Sequence, residues 1–215
     1  MTVSIDARPG SDVPPEPAAS ITRSMLGRLW KLRMAPEMLL HPWHRGRARA
    51  RLTRSGERWK VLILCHGNIC RSPFAEVLLR RQLGEHGADC QVESAGFLES
   101  GRPCPEPALL VAREFGLDLS EHRSRTVTPA MIGDADLTIV MEPSQAAAVT
   151  SRMQAPPGRV LTLGDLDPDR FVIRRLPDPY DRPLDEFRSC FRRIDRCLQV
   201  VARTTDASTA RRRIA

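Results

Sequence analysis

The sequence predicts an α/β fold over residues 58–203: a three-layer sandwich with a parallel sheet at its centre and helices on both faces. Three observations predict it. Val61-Leu62-Ile63-Leu64 is an unbroken aliphatic run, as expected of a parallel strand covered on both sides. Strand-like and helix-like stretches alternate from there onward, the pattern of a parallel sheet wound by crossover helices. Glycine and proline punctuate the joints, at Gly87, Gly116, Pro143 and Pro156-Pro157-Gly158.

Taken in order, the first strand begins at Trp59 and runs into Cys65. A helix is expected over residues 72–86, with Ala75, Leu78, Leu79 and Leu83 on one face and Gly87 at its end. Residues 91–95 read as the second strand, followed by a loop from Gly96 to Pro105. A helix over residues 106–115 stops at Gly116. Leu137-Thr138-Ile139-Val140-Met141 is the third strand, with a short helix after Pro143, and residues 160–163 form the fourth. Phe187, Phe191, Ile194, Leu198 and Val201 keep helical spacing, which predicts a final helix over residues 184–202.

The formal net charge of +7 is unevenly placed. Residues 1–58 carry +6 and residues 203–215 carry +3, which leaves −2 on residues 59–202. The basic character belongs to the ends, so a nucleic-acid partner is not expected of the domain. Residues 1–57 read as a basic, largely disordered extension, with four prolines in the first nineteen residues. Within it, residues 20–41 mix Leu26, Leu29, Trp30 and Leu39 with Arg23, Arg28, Lys31 and Arg33. That composition suits a basic amphipathic helix. Such a helix lies on an anionic membrane surface, on a partner or on the protein's own domain, unless the true start codon lies downstream. Residues 42–58 read as a solvated arginine-rich linker and residues 204–215 as a basic C-terminal tail. No secretory signal or apolar stretch of about 20 residues is evident, so a cytoplasmic protein is expected. The six cysteines, at 65, 70, 90, 104, 190 and 197, are then expected to be mostly reduced, and their spacing gives no zinc pattern.

The chemistry concentrates just after the first strand, in Cys65-His66-Gly67-Asn68-Ile69-Cys70-Arg71-Ser72-Pro73. Gly67 and Asn68 tolerate left-handed backbone and let the loop coil sharply, while Ser72 and Pro73 suit the start of a helix. Amides wound ahead of a helix N-terminus form an anion-binding cup. Helix N-termini and nearby cations favour the thiolate form of a cysteine, so Cys65 reads as a nucleophile. Arg71 offers a planar fork that matches two oxygens of a phosphoryl group, and the Ser72 hydroxyl is placed to donate to the thiolate. These residues point to attack on a bound tetrahedral phosphorus.

The nonamer CHGNICRSP resembles the signature of the low-molecular-weight protein tyrosine phosphatases, bacterial type. Ser94-Ala95-Gly96, Asp118-Leu119-Ser120, His122-Arg123-Ser124 and Asp178-Pro179-Tyr180 match in the same order, so the resemblance covers residues 59–202. It implies a four-stranded sheet of order 2-1-3-4 and hydrolysis of phosphotyrosine through a cysteinyl-phosphate intermediate. Cys65, Arg71 and Asp178 are implied as the catalytic residues, with Asp178 first the acid for the leaving phenolate and then the base for water. His66, Gly67, Asn68, Ile69, Cys70 and Ser72 are implied as the phosphate-binding loop. Tyr180 walls the site, and Ser94 supports the loop from behind. Cys70 is implied as a disulfide partner that protects Cys65 from over-oxidation, although a small apolar filler suits its place equally. Ile69, where relatives acting on phosphoarginine carry Thr, favours a flat aromatic substrate.

No metal or cofactor is expected, because amides and Arg71 supply the electrostatics. The implied partner is a phosphotyrosine protein, in bacterial relatives often an autophosphorylating tyrosine kinase of exopolysaccharide export. The alternative, a thiol-coupled arsenate reductase, needs a cysteine relay near residues 115–130, and none occurs there; Cys104 is the nearest. His66, the loop Phe97-Leu98-Glu99-Ser100 and Asp181 depart from the family pattern, so substrate preference does not carry over with the fold.

Overall fold

The computed structural model describes residues 39–52, 59–85, 90–169 and 173–214, which fall in one unit spanning residues 37–215. Of the amphipathic stretch expected at 20–41, all but the last three residues lie outside the described part.

The sheet contains β1 (Trp59–Cys65), β2 (Cys90–Gly96), β3 (Leu137–Val140) and β4 (Val160–Thr162) in the order β2-β1-β3-β4. Every pairing is parallel, with Cys65 opposite Gly96 and Leu64 opposite Val140. Side chains alternate across the pleat, so β1 feeds two cores at once. Val61, Ile63 and Cys65 enter one core, and Leu62 and Leu64 the other. The larger core is covered by α2 (Arg71–Glu85), α3 (Glu106–Glu114) and α6 (Leu184–Ile214), where Phe74 stacks on Phe191 at 3.9 Å. The smaller core is covered by α4 (Pro129–Asp134) and α5 (Pro143–Arg152). Helices therefore lie on both faces, as the alternating pattern predicts.

Three elements differ from expectation. Residues 39–52, read mostly as a linker, form a helix, α1. His41, Ala48 and Leu52 are buried on its inner face, and Arg45 Nη1 donates to the Asp167 carbonyl at 3.3 Å. Four arginines between those positions hid the stripe, although arginine is itself a good helix former. Helix α6 does not stop near residue 202 but runs to Ile214. Its apolar stripe thins after Val201, yet no glycine or proline breaks the backbone. Thr204 and Thr205 turn their hydroxyls back onto the carbonyls of Val200 and Val201. Helix α4 was missed because six residues are too few for a period. Its Thr128 cap, which accepts from the Met131 amide at 3.3 Å, was the available signal.

Candidate active site

Strand β1 ends at Cys65, and helix α2 begins at Arg71. The five residues between must reverse direction at the carboxyl edge of the sheet, where such folds bind ligands. Asn68 makes the reversal in left-handed backbone, at φ 52°. The turn closes on the sulfur, since Cys65 Sγ accepts from the Asn68 amide at 3.2 Å and from Ser72 Oγ at 3.0 Å. Two donors thus converge on one sulfur.

Asn68 is the hub that fixes this turn. Its Nδ2 donates to Ser72 Oγ and to Ser94 Oγ, both at 2.9 Å. Its Oδ1 accepts from the Arg125 amide at 2.8 Å, and its carbonyl lies 2.8 Å from His122 Nε2. Ser94 in turn donates to Glu76, which pairs with Arg80 at 2.6 Å. A chain of polar groups thus runs from the surface to the sulfur with its buried members satisfied. Gly96 lets the loop sit this close: a Cβ there would stand 2.8 Å from the Asn68 amide nitrogen.

Arg71 is fully buried, and its partners come from two loops distant in sequence. Nη1 donates to Glu142 Oε1 and to the Leu176 carbonyl, both at 2.9 Å, and Nη2 donates to Asp178. Burial opposes the guanidinium charge, but the Cys65 sulfur and the Asp178 carboxylate outweigh it and raise the Arg71 pKa. Its Nε is buried and has no partner among the described residues. A buried donor of this kind is costly unless an acceptor oxygen meets it. Asp178 is held on its other side by the Tyr180 amide at 3.3 Å, and its side chain keeps 35% exposure. It therefore faces both the arginine and solvent.

A cavity of about 240 Å³ opens over these groups. Cys65 lies at its floor, Ile69, Leu98 and Tyr180 give it apolar walls, and Asp178 and Arg102 stand on its rim. Tyr180 is 52% exposed, as befits a wall at a mouth. Burial raises the thiol of Cys70, further raised by Cys65, and pushes Cys104 and Cys190 up to about 12. These three remain protonated thiols near Cys65.

The structure thus joins Cys65, Asn68, Ser72 and Ser94 in one hydrogen-bonded assembly, and it pairs Arg71 with Asp178 at the same site. Gly67, Ile69, Cys70 and Tyr180 line the same cavity, as does His66, whose residue is exposed. The side chain of Asn68 is fully spent on holding the loop. Sequence reasoning missed Glu142, Glu76, Arg125 and Arg102. Glu142 was findable: it lies two residues past buried β3, at the sheet edge where charge is costly without a task.

Comparison with known proteins agrees with this geometry. Residues 60–210 match the family model described as low molecular weight phosphotyrosine protein phosphatase. A probable low molecular weight protein-tyrosine-phosphatase EpsP of Ralstonia nicotianae is 38% identical over 137 residues, 63% of this chain and 88% of that protein. The crystal structure of the tyrosine phosphatase Wzb from Escherichia coli K30 in complex with sulphate is 30% identical, with a TM-score of 0.59 over 67% of this chain and 96% of that one. The YwlE arginine phosphatase from Geobacillus stearothermophilus shares the fold, with a TM-score of 0.64 at 22% identity over 71% of this chain and 96% of that one. With its matched segment spanning the sheet, the cup and the acidic loop, the chain belongs to the low molecular weight phosphotyrosine protein phosphatase family.

Proposed function

We propose that this phosphatase hydrolyses phosphotyrosine in proteins in two steps on Cys65. The observation that carries the reading is Arg71 Nε, buried beside the sulfur without a partner among the described residues. A phosphoryl oxygen there gains a charge-assisted hydrogen bond, and Glu142 on Nη1 keeps the fork turned toward it.

In the first step the Cys65 thiolate attacks phosphorus, the P–O bond to the tyrosine breaks, and Asp178 delivers a proton to the leaving phenolate. In the second, Asp178 takes a proton from water as that water displaces phosphate from sulfur. Ser72 and the Asn68 amide stabilise the thiolate that leaves. Tyr180, Leu98 and Ile69 suit a flat ring between apolar walls. The loop 66–72 holds the phosphate. Cys70 serves as redox guard: peroxide converts Cys65 to a sulfenic acid, which condenses with the Cys70 thiol and releases water.

The physiological substrate in this reading is an autophosphorylating tyrosine kinase of exopolysaccharide export, met in the cytoplasm. The basic residues 20–41 bring the enzyme to the membrane surface that holds the kinase. Leu39 and Leu40, at the end of that stretch, are exposed. No described helix is long and apolar enough to cross a membrane.

The direct test is phosphate release from matched phosphotyrosine, phosphoserine and phosphoarginine peptides, with the Cys65→Ser variant alongside. Turnover of phosphotyrosine alone, lost in the variant, is expected. Preferred turnover of phosphoarginine, or undiminished activity in the variant, overturns the reading.

A further inference from the structure

The rim of the cavity carries a cation that the two-step chemistry leaves unused. Arg102 lines the cavity together with Cys65 and Gly67, and its Nη1 lies 3.6 Å from where a Cβ on Gly67 would stand. That distance is ordinary van der Waals contact, which places the guanidinium directly over the loop.

The root of this side chain is fixed. The Arg102 amide donates to Ser124 Oγ at 3.0 Å, and the Ser124 amide donates to the Arg102 carbonyl at 2.9 Å. Pro103 bridges antiparallel to Arg123, and the Gly101 amide donates to the Ser124 carbonyl at 2.7 Å. Ser124 itself is buried. Two short segments thus clamp each other, so the guanidinium hangs from a rigid support.

The site's carboxylates are already committed elsewhere. Glu142 and Asp178 both serve Arg71. Among the described residues no carboxylate pairs with Arg102. It is therefore an un-neutralised cation at the mouth of a pocket whose floor takes a phosphoryl group.

We propose that Arg102 forms an anionic subsite that recognises a carboxylate or a second phosphate one or two residues from the phosphotyrosine. The inference rests on the phosphotyrosine reading above. Neighbouring residues of an extended peptide are spaced about 3.3–3.6 Å along the chain, so a flanking side chain reaches a group standing over the loop. The planar fork of arginine accepts both kinds of oxyanion. Leu98, beside it on the wall, offers apolar cover for the stem of the flanking side chain.

The experiment measures kcat/KM of the full chain on three phosphotyrosine peptides that differ only beside the target residue. One carries asparagine there, one aspartate and one a second phosphotyrosine. Wild type and the Arg102→Gln and Arg102→Lys variants are compared at low and high salt. The wild type is expected to favour an anionic peptide over the asparagine peptide by about three- to tenfold, less at high salt. That preference collapses in Arg102→Gln and is partly kept in Arg102→Lys. A preference for only one anionic peptide assigns the subsite to that group. No preference in the wild type overturns the proposal, as does a preference unchanged in Arg102→Gln. A uniform loss on all three peptides places Arg102 on the target phosphoryl group and overturns it as well. Hydrolysis of the asparagine peptide reports the phosphotyrosine reading separately, because it needs no flanking charge.

Discussion

The cup and the rim of the site are built in opposite ways. The cup, residues 65–72, is one continuous piece of chain between a buried strand and a helix, and Cys65, Asn68, Arg71 and Ser72 are all buried. Its buried side-chain polar atoms find partners within the cup or in Ser94, Arg125, Glu142, Leu176 and Asp178, apart from one arginine nitrogen. The rim is assembled from Leu98, Arg102, Asp178 and Tyr180, residues from two distant loops that all keep contact with solvent. Burial makes the cup rigid and intolerant of change, whereas exposure leaves the rim free to vary with the substrate. In the proposed reading, the nucleophile and the phosphate cradle lie in the first, and the acid and the choice of substrate lie in the second.

Substitutions sharpen that contrast. Cys65→Ser removes the proposed nucleophile and is expected to lower turnover by about 10⁴-fold or more, read as phosphate release. Asp178→Ala removes the rim group proposed as acid and base. It is expected to slow turnover by about 10²–10⁴-fold while inhibition by inorganic phosphate stays nearly the same. Asn68→Ala leaves every reacting group in place but unties the cup. A loss of about 2–3 kcal/mol in denaturant unfolding is expected, because Ser72, Ser94 and the Arg125 amide lose a buried partner. A fall in kcat/KM should accompany it. If Asn68→Ala proves stable and active, the cup is not the rigid unit described.

Away from the site, Leu52→Ala tests whether α1 is part of the domain. Leu52 is fully buried, so about 2–4 kcal/mol of stability should be lost with kcat unchanged. The smallest effect is one of pH. Burial holds the His122 imidazole below its ordinary value, although its bond to the Asn68 carbonyl pulls the other way. Folding then favours the neutral ring. Stability is complete above the ordinary histidine value, about pH 6.5, and is lost as pH falls through the lowered folded value. With the ring only partly buried, a fall in Tm of about 2–4 °C or less is expected, and it should vanish in His122→Gln.

What could be read from the sequence divides along the same line. The cup was legible because its chemistry is local: nine consecutive residues fix the strand end, the left-handed turn, the nucleophile and the fork. The sheet was legible from its unbroken aliphatic runs, although its strand order came only with the family resemblance. Glu142 and Arg125 meet the cup from 71 and 57 positions away and Arg102 stands over it from a separate loop, and no local pattern announces them. Helix α1 was hidden for a different reason. Its arginines read as solvated charge, while only three buried positions, His41, Ala48 and Leu52, tie it to the core. Helix α6 outran its expected end because a helix needs no apolar stripe once a long packed segment has nucleated it.

The most direct test of the two-step reading is to quench a reaction on a phosphotyrosine peptide in acid within a turnover and locate the phosphoryl group by mass spectrometry. A phosphoryl group on the peptide that contains Cys65, enriched in Asp178→Ala and absent in Cys65→Ser, is the predicted result. Steady turnover with no phosphoryl group on Cys65 at any quench time would contradict it.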